Sequence, residues 1–282
     1  CSTVAGLYWL TSGGHRFPWA SAQSGALLAV ACGALIALVV RERKHPAPFL
    51  PVDLLREKAI LYSLLTTLMF ASCMFAMVFF LPIYLQLGHR VSPLLSGLLL
   101  LPLTAGMVCG SLTAARFVAR TGQAKWVPVA GLSLAGFALL MLGAVAPAPG
   151  VVGLLGFLAG LGFGVIMPIN QVVVQTVAGP ARLGAVTAMI SLFRSVGGAA
   201  GAAVFGAIVY ALLPDVDHID TAHSIAGIAP LPVLHAFHIA FLLAAGVAFA
   251  GAVAASRIPL VSLWQPKVAR VAKETLAPVD GA

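Results

Sequence analysis

The chain is 282 residues long, 61% hydrophobic and only 9% charged, with a mean hydropathy of +1.04. These values lie far outside the range of water-soluble domains and exclude a soluble enzyme or binding module. A net charge of +8 would suit a nucleic-acid partner, but the cations cluster in short connections between apolar runs, so no nucleic acid is expected.

In chain order, Cys1–Thr11 is apolar but too short to cross a bilayer and reads as the tail of a span that begins upstream. No basic segment precedes it, so no signal peptide is read there, and the chain is expected to be a C-terminal piece of a larger protein. Seven runs follow: Phe17–Val40, Ala59–Gly88, Val91–Ala115, Trp126–Ala146, Val151–Ala181, Leu183–Pro214 and Ser224–Ser256. They contain no Asp, Glu, Lys or Arg apart from Arg194. About 20 mostly apolar residues cross ~30 Å of hydrocarbon as a helix, and each run supplies them. Lipid offers the backbone no hydrogen bonds, which leaves helices or a closed barrel. Barrel strands would show as alternating segments of about 10 residues, whereas these runs are continuous and far longer. The expected fold is an all-α membrane protein. Its predicted organisation is the end of one span, an outer loop and one full span in residues 1–40, and a charged linker, RERKHPAPFLPVDLLREK, over 41–58. Six spans follow over 59–256, then a polar tail over 257–282.

The cations set the orientation. Thirteen fall on one side: Arg41, Arg43, Lys44, Arg56, Lys58, Arg116, Arg120, Lys125, Arg182, Arg257, Lys267, Arg270 and Lys273. The other side holds Arg16 and Arg90, and its long loop carries Asp215, Asp217 and Asp220. By the positive-inside rule the chain ends in the cytoplasm and starts outside. Cys1, Cys32, Cys73 and Cys109 show neither metal spacing nor a disulfide framework and read as small packing residues.

Few residues within the spans carry chemistry. Arg194 lies 12 residues beyond Arg182, about 18 Å deep at 1.5 Å per residue. A cation there costs roughly 2.5–3.5 kcal/mol even on lenient scales, so it must face a cavity or a polar partner. It reads either as a structural arginine held by backbone carbonyls or as a group facing substrate or gate. Ser191 shares its face at i−3. Gly156, Gly160 and Gly164 form a stripe that lets another backbone approach, and Pro168 removes a helical bond beyond it. Asn170, Gln171 and Gln175 follow, suited either to bonding between helices or to lining a polar cavity. Gly197 and Gly201 repeat the small-residue theme. His235 with His238, and His218 with His223, do not by spacing fix the three or four convergent ligands a metal needs, so no metal is expected. With no Asp or Glu in the spans, no Ser/His/Asp grouping and no phosphate loop, no catalytic residue is assigned and an enzyme is not expected.

Leu81–Gly106 (LPIYLQLGHRVSPLLSGLLLLPLTAG) and Phe163–Val209 (FGVIMPINQVVVQTVAGPARLGAVTAMISLFRSVGGAAGAAVFGAIV) resemble the signatures of major facilitator superfamily transporters of the fourteen-span drug:proton antiporter type. The linker over 41–58 resembles the segment those proteins carry between two extra central spans and their second six-helix bundle. The resemblance implies that 59–256 is the C-terminal six-helix lobe and that 1–40 is one and a part of the central extra spans. The family's Gly-x-Leu-x-Asp-Arg-x-Gly-Arg loop survives only in degenerate form, with Arg120 and Gly122 in place but Ala115 and Ala119 replacing the first Gly and the Asp. The implied function is proton-coupled efflux of hydrophobic or amphipathic drugs by alternating access, without a cofactor, in the plasma (inner) membrane. Its partners would be the lipid bilayer, a small hydrophobic substrate and the N-terminal lobe of the same protein, which would hold the proton-binding carboxylate. The pathway and gating candidates are Arg194, Asn170, Gln171, Gln175 and Ser191. The alternatives are a dedicated exporter of one metabolite or antibiotic, a histidine-based membrane enzyme or channel component, and a non-transporting fragment.

Overall fold

The structure, a computed structural model, describes residues 52–122, 125–145, 148–212 and 230–259. The span Phe17–Val40, the apolar start, most of the linker, the loop with Asp215, Asp217, Asp220, His218 and His223, and the tail beyond 259 lie outside the described residues. After a short 3-10 turn at Val52–Arg56 come α1 (Lys58–Ile83), extended by a π-helical turn at Tyr84–Gly88, α2 (Pro93–Leu98) and α3 (Leu101–Thr121). Then follow α4 (Trp126–Ala144), α5 (Pro149–Gly164), α6 (Ile166–Ala178), α7 (Leu183–Leu212) and α8 (Pro230–Ser256). The described residues contain no strand, and they form six helical segments long and apolar enough to cross a membrane.

Proline sets the internal breaks. α2 and α3 share one span yet part at Leu99 and Leu100, just ahead of Pro102. α5 and α6 part at Val165, three residues before Pro168. A proline has no N–H to offer the carbonyl four residues back, so it fits most readily in the first turn of a new helix. Pro102 and Pro168 occupy such first turns. The end of α3 is set by Gly122, which adopts φ 65° and donates its N–H to the Val118 carbonyl. A left-handed residue after the last turn favours glycine, which lacks the Cβ that makes this conformation costly.

Apolar helices gain little from leaving lipid for one another, so close association depends on small residues that bring backbones together. The most extensive contacts pair α4 with α8, α1 with α7, and α3 with α5. In the α3–α5 seam a Cβ at Gly160 would strike the Leu103 carbonyl and one at Gly164 the Met107 carbonyl. Reciprocally, Gly106 faces the Phe157 carbonyl and Gly110 the Leu161 carbonyl. Against α1, Gly197 and Gly201 lie on the backbone of Leu68 and Ser72, and the Ser72 hydroxyl donates to the Gly197 carbonyl at 2.8 Å. Large side chains fill the remaining interior, with Phe70 edge-on to Phe163 and Tyr84 against Phe237 and Phe241. Two segments are left mostly uncovered. The most apolar stretches of Pro93–Thr121 and Pro180–Leu212 are 22% and 28% buried, against 44% to 56% for the other four.

Candidate functional site

Several polar residues of α6 and α7 gather on one of those uncovered surfaces. Thr187, Ser191, Arg194 and Ser195 are all exposed on α7, and their spacing of four, three and one places them on one face of the helix. Gln175, from α6, reaches across to it: its Nε2 donates to Thr187 Oγ1 at 3.4 Å. Gln171, half-buried, lies one turn earlier on the same helix. Arg194 is the twelfth of the 30 residues of α7, which sets it about 16 Å along the axis. The result is a strip of amide, hydroxyl and guanidinium groups at span depth, with donors in excess of acceptors. It can hydrogen-bond a polar or anionic group. Thr187 is the member that reading the sequence missed, although its place four residues before Ser191 was the signal.

Asn170 is positioned differently. It is fully buried between α6 and α1, donating from Nδ2 to the Ser63 carbonyl at 3.0 Å and to Thr67 Oγ1 at 2.9 Å. The Thr67 hydroxyl in turn donates to the Ser63 carbonyl at 2.8 Å. Such a chain fixes the register of two helices where an unmade hydrogen bond has no water to replace it. Asn170 Oδ1 and Ser63 Oγ have no hydrogen-bond partner among the described residues.

The glycine stripe is not uniform. Gly160 and Gly164 sit against carbonyls of α3, whereas a Cβ at Gly156 would find ordinary contact, 3.8 Å from Leu103 Cβ. In the degenerate loop motif, Arg120 is exposed in the last turn of α3 and Gly122 caps it.

A cleft of about 280 Å³ opens between α1, α7 and α8, lined by Ser72, Cys73, Gly201, Phe205 and Ala244 among others. Its polar groups are already engaged: Ser72 Oγ with the Leu68 and Gly197 carbonyls, Cys73 Sγ with the Ala244 carbonyl. Only apolar groups suit it.

Comparison with known proteins agrees with this architecture. A family model described as Major Facilitator Superfamily matches residues 2–202. The chain is similar to the multidrug transporter protein MdtP of Bacillus subtilis, 29% identical over 210 residues that cover 74% of this chain and 39% of that protein. It is also similar to the tetracycline resistance determinant of Streptomyces rimosus, 27% identical over 203 residues, covering 71% of this chain and 58% of that protein. A third relative, the drug efflux pump JefA of Mycobacterium tuberculosis, is 35% identical over 204 residues, covering 70% of this chain and 39% of that protein. The chain therefore spans less than two thirds of the length of each.

Proposed function

The chain belongs to the Major Facilitator Superfamily, and on that premise we propose that it forms the C-terminal part of a fourteen-span, proton-coupled exporter of hydrophobic or amphipathic compounds. One observation carries the reading. The polar strip of Gln175, Thr187, Ser191 and Arg194 lies on a membrane-depth surface that this lobe leaves uncovered. Exposure of a guanidinium to lipid is unfavourable, so a second lobe closes over α3 and α7 and encloses the strip as one wall of a cavity. Substrate then crosses by rocking of the two lobes about that midplane cavity. Arg194 sets the charge of this wall, with Gln171, Gln175 and Ser191 beside it, while Asn170 holds α6 to α1 behind them. The titratable carboxylate that couples transport to the proton gradient belongs to the other lobe, since the spans here carry no Asp or Glu. Relatives bearing the names of a multidrug transporter and a tetracycline resistance determinant support export as the direction. The same reading places the protein in the plasma membrane with its C-terminus in the cytoplasm, and makes it a transporter without a catalytic centre.

The test is pH-gradient-driven efflux of a lipophilic fluorescent dye from vesicles holding the full-length protein. Arg194→Ala should lower the initial rate about tenfold, equivalent to ~1.4 kcal/mol, with Arg194→Lys retaining part of it. Unchanged transport at unchanged expression in Arg194→Ala overturns the role of this residue. A dye flux indifferent to collapse of the pH gradient overturns the coupling.

A further inference from the structure

Where α1 ends against α8, three titratable side chains converge although the sequence scatters them. The π-helical turn Tyr84–Gly88 follows Pro82, and Arg90 beyond it holds a left-handed φ of 55°. Widened turns of this kind recur at functional sites. Here the turn lays the His89 ring edge-on to the Tyr84 ring, centroids 5.0 Å apart. Gly88 permits α8 to close in, since a Cβ there would stand 2.7 Å from Leu234 Cδ2. Tyr84 is thereby packed 5.6 Å from Phe237, and His238 on the same helix is near enough to His89 for their charges to act on each other. Tyr84 is fully buried, and its Oη, His89 Nε2 and His238 Nε2 are each buried with no hydrogen-bond partner among the described residues. Each such atom carries a desolvation penalty that phenylalanine or leucine in its place would avoid.

We propose that Tyr84, His89 and His238 form a proton-binding site of this lobe, at the end that the charge pattern assigns to the outside. The proposal rests on the proton-coupled reading above and extends it to a lobe whose spans lack carboxylates. Protonation makes both ring nitrogens of an imidazole donors, and the phenol oxygen and the other imidazole, outside hydrogen-bond distance in this structure, are the acceptors that a side-chain rotation would bring to it. The charges of His89 and His238 act on each other, so protonation of one opposes protonation of the other. Burial pushes His89 below its ordinary 6.5, so it is neutral at neutral pH and loads only when its surroundings are acidic. Other groups that bear on it are Arg90 in the same turn, His235 one turn before His238 on α8, and Tyr210 near the end of α7. Asp215, Asp217 and Asp220, in the connection leading to α8, lie outside the described residues. α1 adds no further titratable group at this end, and α2 and the described end of α4 add none.

Two measurements on the full-length protein decide the matter. The first is histidine NMR titration of the purified protein labelled at histidine, with signals assigned by His89→Gln and His238→Gln. His89 should titrate below 6.5. Its midpoint should fall in Tyr84→Phe, which deletes only the phenol oxygen, and the His238 signal should move in His89→Gln, which removes a charge that acts on it. A His89 midpoint at 6.5 unmoved by Tyr84→Phe, together with a His238 signal unmoved by His89→Gln, overturns the site, whatever the protein transports. The second is the dependence of dye efflux on the pH at this face. His89→Gln and His238→Gln should each displace the acid limb of the profile while leaving the maximal rate within about twofold, since neither touches the polar strip. A titration as described with an unmoved transport profile overturns its link to coupling. Absence of any efflux by the wild type overturns the proposed function and leaves the titration to judge the site.

Discussion

Replacing Gly160 by alanine adds one methyl group at the point where α3 and α5 touch backbone to backbone. The new Cβ would fall on the Leu103 carbonyl oxygen, inside the 3.0 Å below which real Cβ atoms essentially never approach another atom. Neither partner can rotate away, because the obstacle is main chain. Relief requires the helices to part, and Gly106, Gly110 and Gly164 lie along the same seam, so their close contacts loosen together. A gap of 0.5–1 Å forfeits about a quarter to a half of each contact's attraction, and overpacking of this kind costs about 1–3 kcal/mol. At about 2–4 °C per kcal/mol for a large domain, the melting temperature of the purified full-length protein in detergent should fall by roughly 2–12 °C. Gly156→Ala is the internal control. Its Cβ finds Leu103 Cβ at 3.8 Å, an ordinary contact, so the shift should stay within about 1 °C and could be upward through helix propensity. Equal shifts for the two variants, followed by intrinsic fluorescence on heating, would refute the claim that carbonyl contact locks this seam.

Two further outcomes follow from the geometry. Asn170→Ala removes the donations to Ser63 and Thr67 and should cost about 0.6–1.7 kcal/mol, the span seen for polar contacts between membrane helices. Combined with Thr67→Val in a thermal double-mutant cycle, it should be less than additive; strict additivity would show that the two do not interact. Gly122→Val places a β-branched residue at φ 65° and should cost about 1–2 kcal/mol, whereas Gly122→Asn should cost markedly less. Equal melting temperatures for the two would argue that the cap is not held left-handed.

The spans were legible because transfer from water to lipid is a property of each segment by itself. The run Ala59–Gly88 matches the helical segment Lys58–Gly88, and Leu183–Pro214 matches α7 to within two residues. The run ending at Ala115 stopped short because it was bounded by charge. α3 continues through Arg116 and Arg120 to the Gly122 cap, since a helix may carry cations where it emerges from lipid. Pairings were not legible. The stripe of Gly156, Gly160 and Gly164 announced a close neighbour, but not that Gly106 and Gly110 of α3 answer it. Thr187 and His89 escaped notice for the same reason, each gaining meaning only from a residue on another helix, Gln175 and Tyr84 respectively. The place of Asn170, buried against α1 instead of beside Gln175, turns on the rotation of α6 about its axis, which its neighbours decide.

The glycine seam also bears on how such a lobe can move. Helices joined through interdigitated side chains can slide, because each rotamer offers some give. Main chain set against main chain offers almost none, so α3 and α5 share one stiffness along their common length. Any deformation of this helix pair is then left to the places where the helical hydrogen bonds are already interrupted, the proline breaks at Leu99–Leu100 and Val165. Compliance sits at those joints and stiffness between them.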